Sequence, residues 1–132
     1  MADYEATTRS NYFHVTDDEK FHQIFEQIQE KNFGIELFTG SDHTYGFGAY
    51  SDVDMDDILE LQDIIPDDDC IIVMESGHEK LRYVDGTGYV ITKERIESLS
   101  IMSWVQQKAK ELMQIRTIPL RLIIKITKEK AI

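Results

Sequence analysis

The octapeptide Ser76-Gly77-His78-Glu79-Lys80-Leu81-Arg82-Tyr83 is the place in this 132-residue sequence where a base, an acid and two cations crowd together. His78 and Glu79 could move a proton, and Lys80 or Arg82 could hold a substrate's negative charge; that chemistry belongs to a small hydrolase or a metal-dependent enzyme. Turns that enter strands do carry active sites. Alternating charges beside a hairpin are more often cross-strand pairs in solvent, so His78, Glu79, Lys80 and Arg82 form an alternative polar cluster and no catalytic residue is assigned.

A second pattern occupies residues 52–63. Asp52, Asp54, Asp56, Glu60 and Asp63 fall at positions 1, 3, 5, 9 and 12 of an EF-hand-like loop, the spacing that wraps carboxylates around calcium. Position 6 is Asp57 instead of glycine, position 12 is Asp instead of Glu, and helical periodicity begins at Ile58, where such a loop is still irregular. Acids at a helix N-terminus followed by a solvated face explain the run more simply, and a calcium-binding loop at 52–63 stands as an alternative. His14, His22, His43 and His78 have no close-paired ligand spacing. No phosphate loop, dinucleotide fingerprint or nucleophile elbow is present, and neither metal nor cofactor is expected.

Charge is more informative than motif. The net charge is −11, but residues 1–114 carry 9 Lys+Arg against 24 Asp+Glu, a balance of −15, whereas residues 115–132 carry 5 Lys+Arg against 1 Glu, a balance of +4. From Asn32 to Glu79 there is no Lys or Arg. A field of one sign repels nucleic acid and attracts basic surfaces. The residues expected to face such a partner are Asp52, Asp54, Asp56, Asp57, Glu60, Asp63, Asp67, Asp68 and Asp69, with no direct nucleic-acid binding. The longest apolar runs, such as Cys70–Met74, fall far short of the roughly 20 residues that cross a bilayer. The opening residues lack a basic region followed by an apolar one, so no membrane is expected and the reading is cytoplasmic. Cys70, the single cysteine, reads as a buried apolar residue in a reducing compartment.

The elements that must position these groups follow from periodicity. Aromatic alternation predicts a strand over Ser10–Val15. Thr16 and Glu19 form a capping box, and Phe21, Ile24, Phe25 and Ile28 make one stripe of a helix over 17–31. Strands are predicted at 35–39 and 45–50, the second with one face left bare by Gly46 and Gly48. Met55, Ile58, Leu59 and Ile65, with Leu61, mark the buried side of a helix over 55–65 stopped by Pro66. Cys70–Met74, apolar on both faces, predicts a central strand, followed by strands at 81–84 and 88–92 about an Asp85-Gly86 turn. Ile101, Trp104, Val105 and Leu112 mark a third helix. Ile118, Leu120, Leu122, Ile124 and Ile126 predict a basic C-terminal strand within 115–132 that completes the sheet or pairs with a second copy. The expectation is a single α+β domain over 1–132, mostly antiparallel sheet with about three helices packed on it, residues 1–8 flexible, as monomer or homodimer.

The stretches ATTRSNYFHVTDDEKF, YGFGAY and GHEKLRYVDGTGYVIT resemble small uncharacterised proteins carried on phages and conjugative elements of Gram-positive bacteria. That setting implies a counter-defence role, with carboxylates occupying the basic channel of a host nuclease effector, as anti-CRISPR and anti-restriction inhibitors acting as nucleic-acid mimics do. The leading expectation is thus a non-enzymatic acidic binding protein.

Overall fold

Glu5–Ser10 holds almost no aliphatic side chain, yet it forms the strand at the heart of the sheet. In the computed structural model, which describes residues 5–80 and 83–114, the elements are β1 (Glu5–Ser10), α1 (Asp18–Lys31), β2 (Glu36–Thr39), β3 (Tyr45–Ala49), α2 (Met55–Ile58) continued by a 3-10 helix (Leu59–Ile64), β4 (Ile71–Glu79), β5 (Tyr83–Ile91), β6 (Ile96–Ser100) and α3 (Ile101–Gln114). Six strands form one antiparallel sheet in the order β2-β3-β1-β4-β5-β6. With three α-helices this is the expected α+β class; the strands expected at 81–84 and 88–92 are one strand, β5, and β6 was not expected. The chain divides into two compact units, Met1–Ser100 and Ile101–Ile132. No helix among the described residues is long and apolar enough to cross a membrane.

β1 tolerates polar residues toward the core because each is satisfied. Thr8 and Ser10 are buried; Thr8 Oγ1 donates to the Ser51 carbonyl at 2.8 Å, and Ser10 Oγ donates to the Asn11 carbonyl at 2.7 Å while accepting from the Phe47 N–H at 2.9 Å. A buried hydroxyl or amide left without such a partner is costly. Of the strand expected over Ser10–Val15, only Ser10 lies in β1. Asn11 turns its amide to β4, donating to the Cys70 carbonyl at 3.1 Å and accepting from Ile72 N–H at 2.9 Å. Beyond it only Phe13 pairs, in a single bridge with Tyr45.

Helix α1 starts one residue later than a Thr16 cap would place it. Asp17 is the N-cap, accepting from Lys20 N–H at 3.0 Å, while the Thr16 N–H donates to the Ile64 carbonyl. Phe21, Phe25 and Ile28 of α1 are buried with Phe13 and Phe47 in one core on the helical side of the sheet. The Phe21 ring stacks on Tyr45 at 4.3 Å, and Phe13 meets Phe47 edge-on at 6.3 Å. Gly46 and Gly48 fulfil the reading of a bare face: a Cβ at Gly48 would lie 3.1 Å from the Phe38 ring and 3.3 Å from the Thr8 carbonyl.

The three strands after Asp69 differ most from expectation. β4 and β5 form one long hairpin pairing Ile71 with Ile91 through Glu79 with Tyr83, so Asp85-Gly86 lies within β5 and not in a turn. Register explains this: the nine-residue pairing sets Ile71, Val73 and Ile91 toward the core, where all three are buried, and a turn at Asp85-Gly86 would strand them. Lys80 enters the actual turn with φ 50°. β4 is central, as expected, but apolar on both faces does not mean buried on both: Ile72 and Met74 are exposed. Cys70, expected to be buried, is half-buried with a free thiol. Residues 5–8, expected to be flexible, lie in β1 between β3 and β4. The expected strand at 118–126 lies outside the described residues.

In the second unit, α3 carries Ile101, Trp104, Val105 and Leu112, each exposed. Lys108 bridges Glu111 at 3.0 Å and lies 5.8 Å from the Trp104 ring centre.

Candidate protein-binding surface

The acid-rich segment owes its shape to a three-residue rhythm. Ile58, Leu61 and Ile64 are all buried, and a spacing of three matches the three residues per turn of a 3-10 helix, so the winding tightens after Ile58. Side chains at i and i+3 eclipse in that geometry. Asp57, Glu60 and Asp63 recur at the same spacing and so run along one edge of α2 and the 3-10 helix. Asp54 caps α2, accepting from the Asp56 N–H at 3.0 Å.

Asn32, just past α1, holds this ridge in place. Its Nδ2 donates to the Ile28 carbonyl and to Asp57 Oδ2, both at 3.0 Å, and its Oδ1 accepts from Asp54 N–H at 3.0 Å. Lys31 adds an ion pair to Asp57 at 3.7 Å. One amide therefore joins the end of α1 to the start of α2. Asn32 and Lys31 escape a reading that looks only for acids; the available signal was the Lys-Asn pair closing an amphipathic helix.

The nine acids separate by what they touch. Asp54 and Asp57 serve the helix junction, and Asp67 lies 3.5 Å from Lys93. Asp69 accepts from His14 N–H at 2.7 Å, from Cys70 N–H at 2.7 Å and lies 3.0 Å from His14 Nδ1. Burial pulls the Asp69 carboxyl upward, but the hydrogen bonds from His14 and Cys70 outweigh it and hold it below its ordinary 3.8. The hydrogen bond with Asp69 conversely raises His14 above 6.5; burial opposes it as the next largest influence, and the charges of Asp69, Asp42 and Asp68 add to the rise. Asp52, Asp56, Glu60, Asp63 and Asp68 are exposed, and among the described residues no Lys or Arg is ion-paired to them.

The alternative cluster is arranged differently. His78 and Glu79 are successive residues of β4 and point to opposite faces of the sheet. His78 Nε2 lies 3.5 Å from Glu5 Oε2 on the neighbouring strand. Lys80 sits in the turn, and Arg82 lies outside the described residues. His78 and Asp52 line one open groove of about 540 Å³ with Glu5, Thr7, Ser51 and Ser76, so the structure joins a residue of the polar cluster to one of the acidic segment.

Residues 52–63 do not form an EF-hand-like loop. Met55–Ile64 is helical, which spreads the carboxylates along a ridge instead of around a centre. Among the described residues no group of three or more His, Cys, Asp or Glu side chains is placed to hold a metal ion. His14 faces Asp69, whereas His22 lies 3.4 Å from the Tyr45 hydroxyl. That hydroxyl donates to Asp18 at 2.8 Å, which raises the Tyr45 pKa above 10.0. His43 occupies the β2–β3 turn with Asp42, both in left-handed backbone at φ 59° and 62°. No family model, curated protein or solved structure matches this chain.

Proposed function

We propose that this chain is a non-enzymatic acidic binding protein whose ridge of carboxylates docks on a basic protein surface. The observation that carries the reading is the row of exposed acids at Asp56, Glu60 and Asp63, extended by Asp52 and Asp68, with no Lys or Arg ion-paired to them among the described residues. At about 1.5 Å per α-helical and 2.0 Å per 3-10 residue, the ten residues of α2 and the 3-10 helix span roughly 18 Å. That length covers about five phosphates of a nucleic-acid strand at 3.4 Å each, and along it Asp56, Glu60 and Asp63 are exposed, whereas Asp57 is engaged by Lys31 and Asn32. A groove built to neutralise phosphates finds a row of negative charge of comparable length. The resemblance to proteins of mobile elements makes a host nuclease effector the proposed partner, and inhibition by nucleic-acid mimicry the proposed activity.

Capture from a Gram-positive host lysate tests this, with immobilised wild-type chain run beside the Asp56→Asn/Glu60→Gln/Asp63→Asn variant. The reading expects a basic nucleic-acid-binding protein retained by the wild type, released as salt rises, and retained at least about ten-fold less by the variant. Equal retention by both, or retention insensitive to salt, would overturn it.

A further inference from the structure

The sheet face opposite α1 and α2 carries a patch that is complementary to itself. Cross-strand pairing sets Arg9, Met74, Gly88 and Leu99 in one row and Ile72, Val90 and Glu97 in the next. Met74 is 65% exposed, Leu99 57%, Val90 43% and Ile72 39%. In the midst of these side chains Gly88 leaves a hole: a Cβ there would have nothing within 4 Å. Contiguous exposed aliphatic groups of this kind mark an interaction surface.

We infer that a second copy of this chain seats on this face, sheet against sheet, with Met74 of each copy filling the hole above Gly88 of the other. The register dictates the match. A twofold axis parallel to the strands, midway between β4 and β5, carries Met74 opposite Gly88 and Ile72 opposite Val90, and it keeps the strands of the two sheets aligned, as sheet packing prefers. The same operation brings β1 opposite β6, so Arg9 faces the strand that bears Glu97. The Arg9 guanidinium lies 4.4 Å from the Phe38 ring centre and 5.4 Å from that of Tyr12, on the β2 side of β1, so pairing with Glu97 requires it to swing away from these rings. Charge also selects this occupant. The patch is flanked by one Arg and one Glu, which suits a self-complementary contact, whereas the acidic ridge lies on the other side of the sheet and remains open to a basic partner. Two copies of net charge −11 repel, so the dimer gains from salt, the opposite of the dependence expected for the ridge.

Sedimentation velocity on the full chain over a range of concentration and salt tests the inference. The wild type is expected to form a reversible dimer, more populated at higher salt. Gly88→Val has room in the isolated chain but meets Met74 of the second copy, so it is expected to weaken the dimer roughly ten-fold or more; Met74→Ala added to Gly88→Val opens space again and is expected to restore part of that loss. Met74→Glu is expected to leave a folded monomer by circular dichroism. A wild type that stays monomeric, because another occupant covers the face, overturns the inference. So does a dimer that Gly88→Val and Met74→Glu leave unchanged.

Discussion

Replacing Asn32 by Ala removes one side chain that makes three hydrogen bonds, to the Ile28 carbonyl, the Asp57 carboxylate and the Asp54 N–H. A protein hydrogen bond contributes a net of about 0.5–1.5 kcal/mol. Because Asn32 is half-buried and the Asp54 end is exposed, the lower half of that range applies, and the three together stabilise by about 2 kcal/mol. For a chain of this length each kcal/mol moves Tm by roughly 3–6 °C, so Asn32→Ala should melt about 6–12 °C lower. The effect should also be local, since the amide ties α1 to α2: hydrogen exchange at the Asp54 and Asp56 amides should quicken more than in β4. Differential scanning calorimetry supplies the first reading and exchange mass spectrometry the second. Phe33→Ala is the control, because Phe33 is 98% exposed and a surface change there should stay within about 0.5 kcal/mol. If Asn32→Ala melts within 2 °C of that control (about the uncertainty in such a comparison), the claim that this amide sets the ridge is refuted.

The His14–Asp69 contact should make stability depend on pH in a defined window. His14 is raised above 6.5 in the folded chain, so its contribution is fully present below 6.5 and lost as pH rises through the raised value; Asp69 is lowered below 3.8, so its contribution is present above 3.8 and lost as pH falls through the lowered value. The Tm difference between wild type and His14→Ala should therefore be largest near pH 5 and shrink by pH 8 (approximate settings bracketing those values); a constant difference would contradict the pairing. Gly48→Val should cost about 1–3 kcal/mol in chemical denaturation, because its Cβ would lie 3.1 Å from the Phe38 ring and 3.3 Å from a β1 carbonyl; an unchanged midpoint would show that Phe38 moves aside freely. Ser10→Ala should lose about 1–3 kcal/mol by leaving the buried Phe47 N–H without its acceptor, whereas stability equal to wild type would mean another group replaces that acceptor.

Much of this fold was legible in the residues because the signals were periodic. The stripe of Phe21, Phe25 and Ile28 located α1, and Ile101, Trp104, Val105 and Leu112 located α3. β1 was not legible, since its core side is Ala6, Thr8 and Ser10 and its burial depends on hydroxyl partners contributed by Ser51, Asn11 and Phe47, remote or local groups that no alternation of apolar residues reveals. The aromatic run at Tyr12 and Phe13 looked more strand-like, but Asn11 diverts the chain there. Asp85-Gly86 misled because turn chemistry is a local preference, while the β4–β5 register is set by burial of Ile71, Val73 and Ile91. The candidate surface was half legible: the acids were visible as a run, but the structural duties of Asp54, Asp57 and Asp69 depend on Asn32 and His14, which lie 22 to 55 residues away. The three-residue recurrence of Ile58, Leu61 and Ile64 was in the sequence, and read as 3-10 spacing it would have aligned Glu60 with Asp63.

The central claim is that the carboxylate ridge takes the place of nucleic acid on a basic protein, and a competition titration tests it most directly. A fluorescent duplex bound to the captured effector is titrated with this chain while anisotropy reports the bound fraction. The account predicts full displacement of the duplex, with the midpoint moved at least about ten-fold higher by Asp56→Asn/Glu60→Gln/Asp63→Asn and moved higher again as salt rises. An effector that holds the duplex and this chain at the same time, with anisotropy unchanged at saturation, would contradict it.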